Sequence, residues 1–364
     1  MHLCVDARMY QASGIGTYLQ NLLPALSESF ELTLLGDPNE LAEIGGQIIP
    51  TTIPIYSMAG LLRLSALVPR CDVFWSPHYN VPWLPVRAKT RLVTIHDVFH
   101  LAHLSALSLP QRGYATLAFR AAARFSQHVI TVSEFSKTEI QRYLNVPTDR
   151  VSVIPNGVDH ALFNEQANPD RQRTVRQKYG LPPRWLLYVG NVKPHKNLLT
   201  LVKAFAMLPD ALADRHLVIV GQRAGFITGD TELGRALQDD PSLAQRIHFT
   251  GFVEQADLPV LYRLAELFVF PSKYEGFGLP PLEAMACGCP VVVSNRASLP
   301  EICGAAASYA NPDSPTDLAT TIVTALHRSP AARQRQVEAG FQQARQYTWQ
   351  QSVAQHEQLI RRFG

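Results

Sequence analysis

The chain has few cysteines, no long apolar run and almost no net charge. The five cysteines of its 364 residues (Cys4, Cys71, Cys287, Cys289, Cys303) are odd in number and lack any spacing typical of a zinc site. They read as reduced and mostly buried. Cys287 and Cys289 flank Gly288 as a packing pair or, alternatively, a metal or redox pair. No apolar stretch approaches the roughly 18 to 20 residues that span a bilayer, which excludes a transmembrane helix. Leu3, Cys4 and Val5 start a strand almost at once and Asp6 follows, so nothing resembles a basic, apolar, small-residue signal peptide. The expectation is a cytoplasmic chain. The formal net charge is only +3, and no RNA- or DNA-binding motif accompanies it, which argues against nucleic acid.

The charge is unevenly spread. Residues 61 to 133 hold Arg63, Arg70, Arg87, Lys89, Arg91, Arg112, Arg120 and Arg124 against only Asp72 and Asp97. Two readings stand side by side: peripheral attraction to an anionic membrane surface or a phosphorylated acceptor, and solvated charge on separate faces.

Length and pattern give the architecture. A chain of 364 residues suits two domains of about 170 to 180 each, with a cleft between them. Short apolar runs alternate with helical patterns in both halves, so the fold class is α/β with parallel sheets built from βα units. Strands are expected at 3–7, 31–36, 72–77, 91–96, 128–132 and 151–154, then at 185–189, 217–220, 247–250, 267–271 and 290–293. Leu198, Leu201, Val202 and Phe205 recur with helical period after Asn197, which is placed to cap the helix. The polar stretch from about 160 to 180 reads as the interdomain linker. The boundaries are 1–165 for the first domain, 166–345 for the second, and 346–364 for a final helix that crosses back to the first.

In open parallel sheets, ligands bind beyond the carboxyl ends of the strands. After the strand at 267–271 comes a loop from Ser272 to Glu283 whose glycines allow close backbone approach and whose prolines start a helix. The amides of Phe277, Gly278 and Leu279 suit a phosphate or sugar hydroxyls, with Gly276 beside them. Glu275 and Glu283 then address hydroxyls; alone, the first would be a solvated loop residue and the second a dipole complement.

This stretch resembles the E-x7-E motif of glycosyltransferase family 4, retaining enzymes of the GT-B type with two Rossmann-like domains. The resemblance extends in order along nearly the whole chain, through Val132 to Lys137, Ile154 to Asp159, Gly190 to Asn197, Phe249 to Val253 and Cys287 to Val291. It implies that Glu283 binds ribose hydroxyls, that Glu275 contacts the donor sugar, and that Lys196 offsets charge on the departing diphosphate. Gly190 opens the pyrophosphate loop and Val253 belongs to the base-contacting loop. The pyrophosphate loop departs from the family: Asn191 stands where arginine is common and His195 precedes the lysine, so Lys193 is offered as a second cation.

In the first domain, Ser13-Gly14-Ile15-Gly16-Thr17-Tyr18 follows Asp6-Ala7-Arg8. The resemblance turns Gly14 and Gly16 toward the diphosphate and places Tyr18, His96 and Asp97 on the acceptor side, with His96 close to the reacting sugar. Glu275, His96 and Lys196 are thus the expected catalytic residues. His100 and His103 tempt a metal reading, but no carboxylate or cysteine completes the set, and no metal or other cofactor is expected. The implied partners are a nucleotide-diphosphate sugar, with GDP-mannose the choice, and a glycan or lipid-diphosphate-linked acceptor. A nucleotide-sugar epimerase or hydrolase, and a non-catalytic nucleotide-sugar-binding subunit, remain open as alternatives.

Overall fold

The computed structural model describes residues 1–190, 193–221 and 231–364. Asn191 therefore lies outside the described residues. Buried β-rich runs such as Leu267-Phe268-Val269-Phe270 and Val291-Val292-Val293, covered on both faces, are what a parallel sheet requires.

Two such sheets form. In the first, β1 (His2–Asp6), β2 (Glu31–Gly36), β3 (Gln47–Pro50), β4 (Cys71–Ser76), β5 (Ala88–Thr94), β6 (His128–Thr131) and β7 (Val151–Val153) lie in the order β3-β2-β1-β4-β5-β6-β7. In the second, β8 (Trp185–Val189), β9 (His216–Val220), β10 (Ile247–Phe249), β11 (Leu267–Phe270), β12 (Val291–Ser294) and β13 (Ser308–Ala310) run β10-β9-β8-β11-β12-β13. Neighbours are parallel throughout, with Val5 opposite both Leu34 and Trp75. The strand order reverses between β1 and β4 and again between β8 and β11. Those two points fix where loops diverge to hold a ligand.

Contacts divide the chain into Met1–Gly157 with Trp349–Gly364, and Val158–Thr348. The first break falls earlier than 165 because Val158 already bridges to Thr348 and donates its N–H to Tyr347 O at 3.1 Å. Arg263 also holds Asn164 O at 2.8 Å.

The expected linker at 160 to 180 contains a helix, Pro169–Lys178. Asn168 caps it through Arg171 N–H, and Val175 alone is buried. The helix is held by charge: buried Asp257 receives Arg171, Lys178 at 2.8 Å and the Tyr179 hydroxyl at 2.8 Å. A helix with one apolar contact shows almost no hydrophobic period, which is why its composition reads as linker. Edge strands β3 and β13 lie outside the expected strands, because each is short and only partly buried and so shows no long apolar run.

The helix Trp349–Phe363 packs in the first unit, where Trp349, Leu359 and Ile360 join the core around Leu19, Leu22, Leu23 and Leu26 of the helix Ser13–Ser29. A buried polar chain fastens it. Trp75 Nε1–H donates to Thr94 Oγ1 at 3.0 Å, and the Thr94 and Tyr18 hydroxyls meet at 3.2 Å. Tyr18 Oη lies 2.6 Å from His356 Nε2, whose Nδ1 lies 2.7 Å from Ser352 O. The carbonyl can only accept, so Nδ1 carries the proton, Nε2 accepts from Tyr18, and Thr94 donates to Tyr18. Burial holds His356 neutral, its pKa pulled down to about 4. Tyr18 is thus a core residue with no accessible surface, not an acceptor contact.

Among the described residues no helix is long and apolar enough to cross a membrane. Tyr18→Phe keeps the ring but leaves His356 Nε2 without its donor. We expect a loss of about 1 to 3 kcal/mol in urea unfolding; an unchanged midpoint would contradict the assigned chain of donors.

Candidate active site

The second unit's switch point brings together the loops that follow β8 and β11. Lys196 Nζ lies 2.7 and 2.8 Å from the two oxygens of Glu275, and the ammonium sits 5.4 Å from the centre of the Phe270 ring. Both side chains are largely shielded, with 17% and 12% of their surface exposed. A pair this dry is held by what surrounds it rather than by its own attraction.

Asn197 does the holding. Its backbone is left-handed at φ 62°, and its side-chain amide donates to Pro271 O at 3.0 Å and Pro312 O at 2.7 Å. One buried side chain therefore ties together the loops after β8, β11 and β13. Asn197 stands at the helix N-cap as expected, but its side chain caps no backbone N–H; Oδ1 accepts from the Thr200 hydroxyl at 2.7 Å. The serines complete the frame: Ser294 Oγ donates to Ser272 O at 2.6 Å, and Ser298 Oγ faces Glu275 O at 3.0 Å and Phe277 O at 2.5 Å. Lys273 N–H reaches back to His195 O at 2.8 Å.

The helix Leu279–Ala286 follows at once. Gly278 adopts φ 125°, a conformation strained for any side chain, and a Cβ there would also meet Leu299 at 2.9 Å. Pro280 and Pro281 remove two N–H groups from the first turn. Among the described residues no acceptor receives the N–H of Phe277, Gly278 or Leu279, which leaves three adjacent donors at a helix start. Gly276 is buried beside them. Phe277 turns its ring inward, edge-on to Tyr347 at 5.5 Å.

Glu283 lies one helical turn on and accepts from the buried Tyr262 hydroxyl at 2.9 Å. Burial pushes its pKa up to about 7, and the Tyr262 hydrogen bond offsets this only in part. Gly190 has no room for a side chain, since a Cβ would fall 2.8 Å from Tyr188 Oη. Lys193 is exposed, and among the described residues its ammonium forms no ion pair. Val253 is half-buried in the loop where Gly221 and Gly251 exchange backbone hydrogen bonds at 3.0 and 3.1 Å.

In the first unit, buried Asp6 is held by Arg8 through Nε and Nη2, each at 2.7 Å, and by His78 Nε2 at 3.1 Å. Burial alone would raise its pKa; Arg8 and then His78 outweigh it and keep the carboxylate well below the usual range. Ala12 at the start of the helix Ser13–Ser29 cannot cap it with a side chain, and among the described residues the N–H groups of Gly14 and Ile15 have no acceptor. Gly16 differs from the expectation. Its N–H makes the first helical bond, to Ala12 O at 2.7 Å, so it is not free for a phosphate. Its lack of a side chain serves packing, because a Cβ would lie 2.7 Å from Tyr10 O.

His96 Nε2 lies 3.0 Å from Pro77 O, so that nitrogen carries the proton and Nδ1 keeps its lone pair. Burial lowers its pKa to about 4. Tyr18 packs edge-on against it at 4.9 Å. Asp97 accepts from Phe99 N–H at 2.9 Å through Oδ1.

A family model, glycosyltransferase family 4, matches residues 12–162, and another, glycosyl transferases group 1, matches 171–343. O-antigen chain mannosyltransferase B of Escherichia coli is 31% identical over 78% of this chain and 72% of its own length. The chain belongs to glycosyltransferase family 4. The family's serotype-specific mannosyltransferase WbdA of Escherichia coli is 31% identical over 75% of this chain, which spans 33% of that longer protein. Anabaena HepE, solved in complex with UDP and glucose, superimposes with a TM-score of 0.77 at 20% identity, covering 99% of both chains. The glycosyltransferase thus has the GT-B fold.

Sequence reasoning missed Asn197's bridging role and the serines at 294 and 298, because neither a period nor a charge marks them. The burial of Tyr18 did have a signal: Tyr18, Leu22 and Leu26 repeat every four residues along one helix face.

Glu283 carries a pH prediction for the ligand-free enzyme. Its folded pKa of about 7 exceeds the 4.5 of a free glutamate, so its contribution is intact below 4.5 and is lost as pH rises through about 7. Glu283→Gln should gain about 2 to 3 kcal/mol over the parent between pH 5 and pH 8. Parallel pH curves for the two proteins would refute the buried, protonated carboxyl.

Proposed function

We propose that this glycosyltransferase moves mannose from GDP-mannose, with retention of configuration, onto a hydroxyl of a glycan or lipid-diphosphate-linked acceptor. It would act at the cytoplasmic side of the membrane during bacterial polysaccharide assembly. The second unit holds the donor and the first holds the acceptor. Names of relatives support the sugar: curated proteins similar over most of this chain are O-antigen mannosyltransferases. Guanine as the base is the choice that accompanies mannose.

The observation that carries the choice between the two retaining routes, double displacement and same-face attack, is the Lys196–Glu275 pair. A carboxylate whose two oxygens are both held by an ammonium, at 2.7 and 2.8 Å, is a poor nucleophile. Double displacement through Glu275 is therefore disfavoured. In the reading offered here the acceptor oxygen attacks C1 on the face from which the diphosphate departs. The C1–O bond to phosphate breaks, the new C1–O bond forms, and the acceptor's proton passes to a phosphate oxygen of the leaving GDP. Lys196 and the open amides of Phe277 to Leu279 stabilise the charge that grows on that diphosphate, while Glu275 and His96 orient the sugar.

Glu283 fits the ribose. Two vicinal hydroxyls donating to its carboxylate would favour the charged form that burial disfavours. The basic stretch from 61 to 133 suits an anionic acceptor or lipid surface.

Replacing Lys196 by Ala should lower transfer by about 10² to 10³ while far-ultraviolet dichroism stays unchanged; Glu275→Ala should do the same. A near-parental rate in either removes that residue from the mechanism. GDP should raise the melting temperature of the parent protein, whereas a response to UDP alone would overturn the choice of donor.

A further inference from the structure

The first unit's switch point carries an aromatic group that donor chemistry leaves unused. Arg8, fixed below by Asp6, extends Nη1 to Ile53 O at 3.0 Å and so anchors the loop from 51 to 57. Ser57 pins the same loop, its hydroxyl donating to Pro54 O at 2.7 Å and accepting from Gly60 N–H at 3.0 Å. Between these anchors Tyr56 is held at φ 59°, an uncommon backbone for a bulky residue, and its side chain remains 42% exposed.

Tyr56 lies on Tyr79 with ring centres 5.4 Å apart and a tilt of 33°. Tyr79 is backed in turn by the fully buried Phe119, stacked at 3.9 Å. Tyr114, beside them, has its hydroxyl oxygen fixed by the Asn80 amide, which leaves its own proton to donate. Asp97 lies within electrostatic reach of both Tyr56 and Tyr79. Among the described residues its Oδ2 has no partner. Burial raises all three phenols, Tyr114 to about 12, so they stay protonated donors at neutral pH.

The geometry points to a subsite in which Tyr56, backed by Tyr79, stacks on the apolar face of a pyranose ring of the acceptor while Asp97 and the Tyr114 hydroxyl bond its hydroxyls. A pyranose offers one face of C–H groups and a rim of hydroxyls, which matches a rigid aromatic surface bordered by one carboxylate and fixed donors. An anionic headgroup or diphosphate fits poorly: the nearby cation, Arg8, is 4% exposed and already paired with Asp6, and Asp97 would repel it. This subsite rests on the transferase reading for the identity of its ligand as acceptor, but not for its affinity for sugar.

Saturation-transfer NMR of the full chain with mannotriose and with maltotriose tests the subsite without any turnover. Parent protein and Tyr56→Phe should transfer saturation to the ring protons of at least one sugar, and Tyr56→Ala should lose most of that signal. In transfer assays Tyr56→Ala should raise the acceptor KM about tenfold with donor KM unchanged, and Tyr56→Phe should restore it. Absence of signal from both sugars with the parent, or equal signal and equal acceptor KM in Tyr56→Ala, overturns the subsite while leaving the transferase reading intact. Sugar binding that depends on Tyr56 in a protein that transfers nothing would instead support the subsite and defeat the transferase reading.

Discussion

The largely shielded pairing of Lys196 with Glu275 is the constraint around which the second unit is arranged. Two opposite charges in so shielded a place gain little net stability from each other, because the loss of hydration offsets their attraction. They persist because Asn197 and the serines at 272, 294 and 298 fix the loops on which they stand. The pair keeps each charge compensated while the donor is absent. In the proposed reaction an arriving diphosphate would share the charge of the ammonium, and the carboxylate would be released in part to accept sugar hydroxyls. The same interaction explains why Glu275 is suited to positioning and poorly suited to attack.

The first unit solves a different problem. Its carboxyl-end cation, Arg8, is committed to Asp6, so that this face offers the Asp97 carboxylate, neutral donors and aromatic rings instead of a free cation. The directional chain from Trp75 through Thr94, Tyr18 and His356 to Ser352 fastens the last helix onto the same core. From Trp75 to the Ser352 carbonyl each donor along it meets an acceptor, which makes the attachment costly to break. The chain's end thereby becomes part of the unit in which the chain begins.

Much of this was legible in the residues. Strands such as Leu267–Phe270 are short apolar runs bounded by turn residues, and the helix from Leu198 declares its period, so their placement follows from burial alone. The lysine and the glutamates stand out in the sequence because their spacing matches a family pattern spread along the chain. What sequence does not reveal is side-chain connectivity between distant loops. Asn197 looks like a helix cap, and only the folded chain brings Pro271 and Pro312 to its amide. The helix Pro169–Lys178 is invisible to a hydrophobic pattern because ion pairs to Asp257, far along the chain, hold it. Gly16 reads as a phosphate-loop glycine, yet its amide already belongs to the helix, and the constraint it answers is the nearness of Tyr10.

In the proposed reaction the sugar leaves a nucleotide donor with retention, without an enzyme-bound sugar on Glu275. The most direct measurement is proton NMR of the anomeric region during turnover of GDP-mannose, with and without a mannose-terminated oligosaccharide. An α-linked product and GDP should appear only when the acceptor is present. A β-linked product would contradict the proposed reaction, and so would an epimerised sugar nucleotide or free mannose released at the same rate without acceptor.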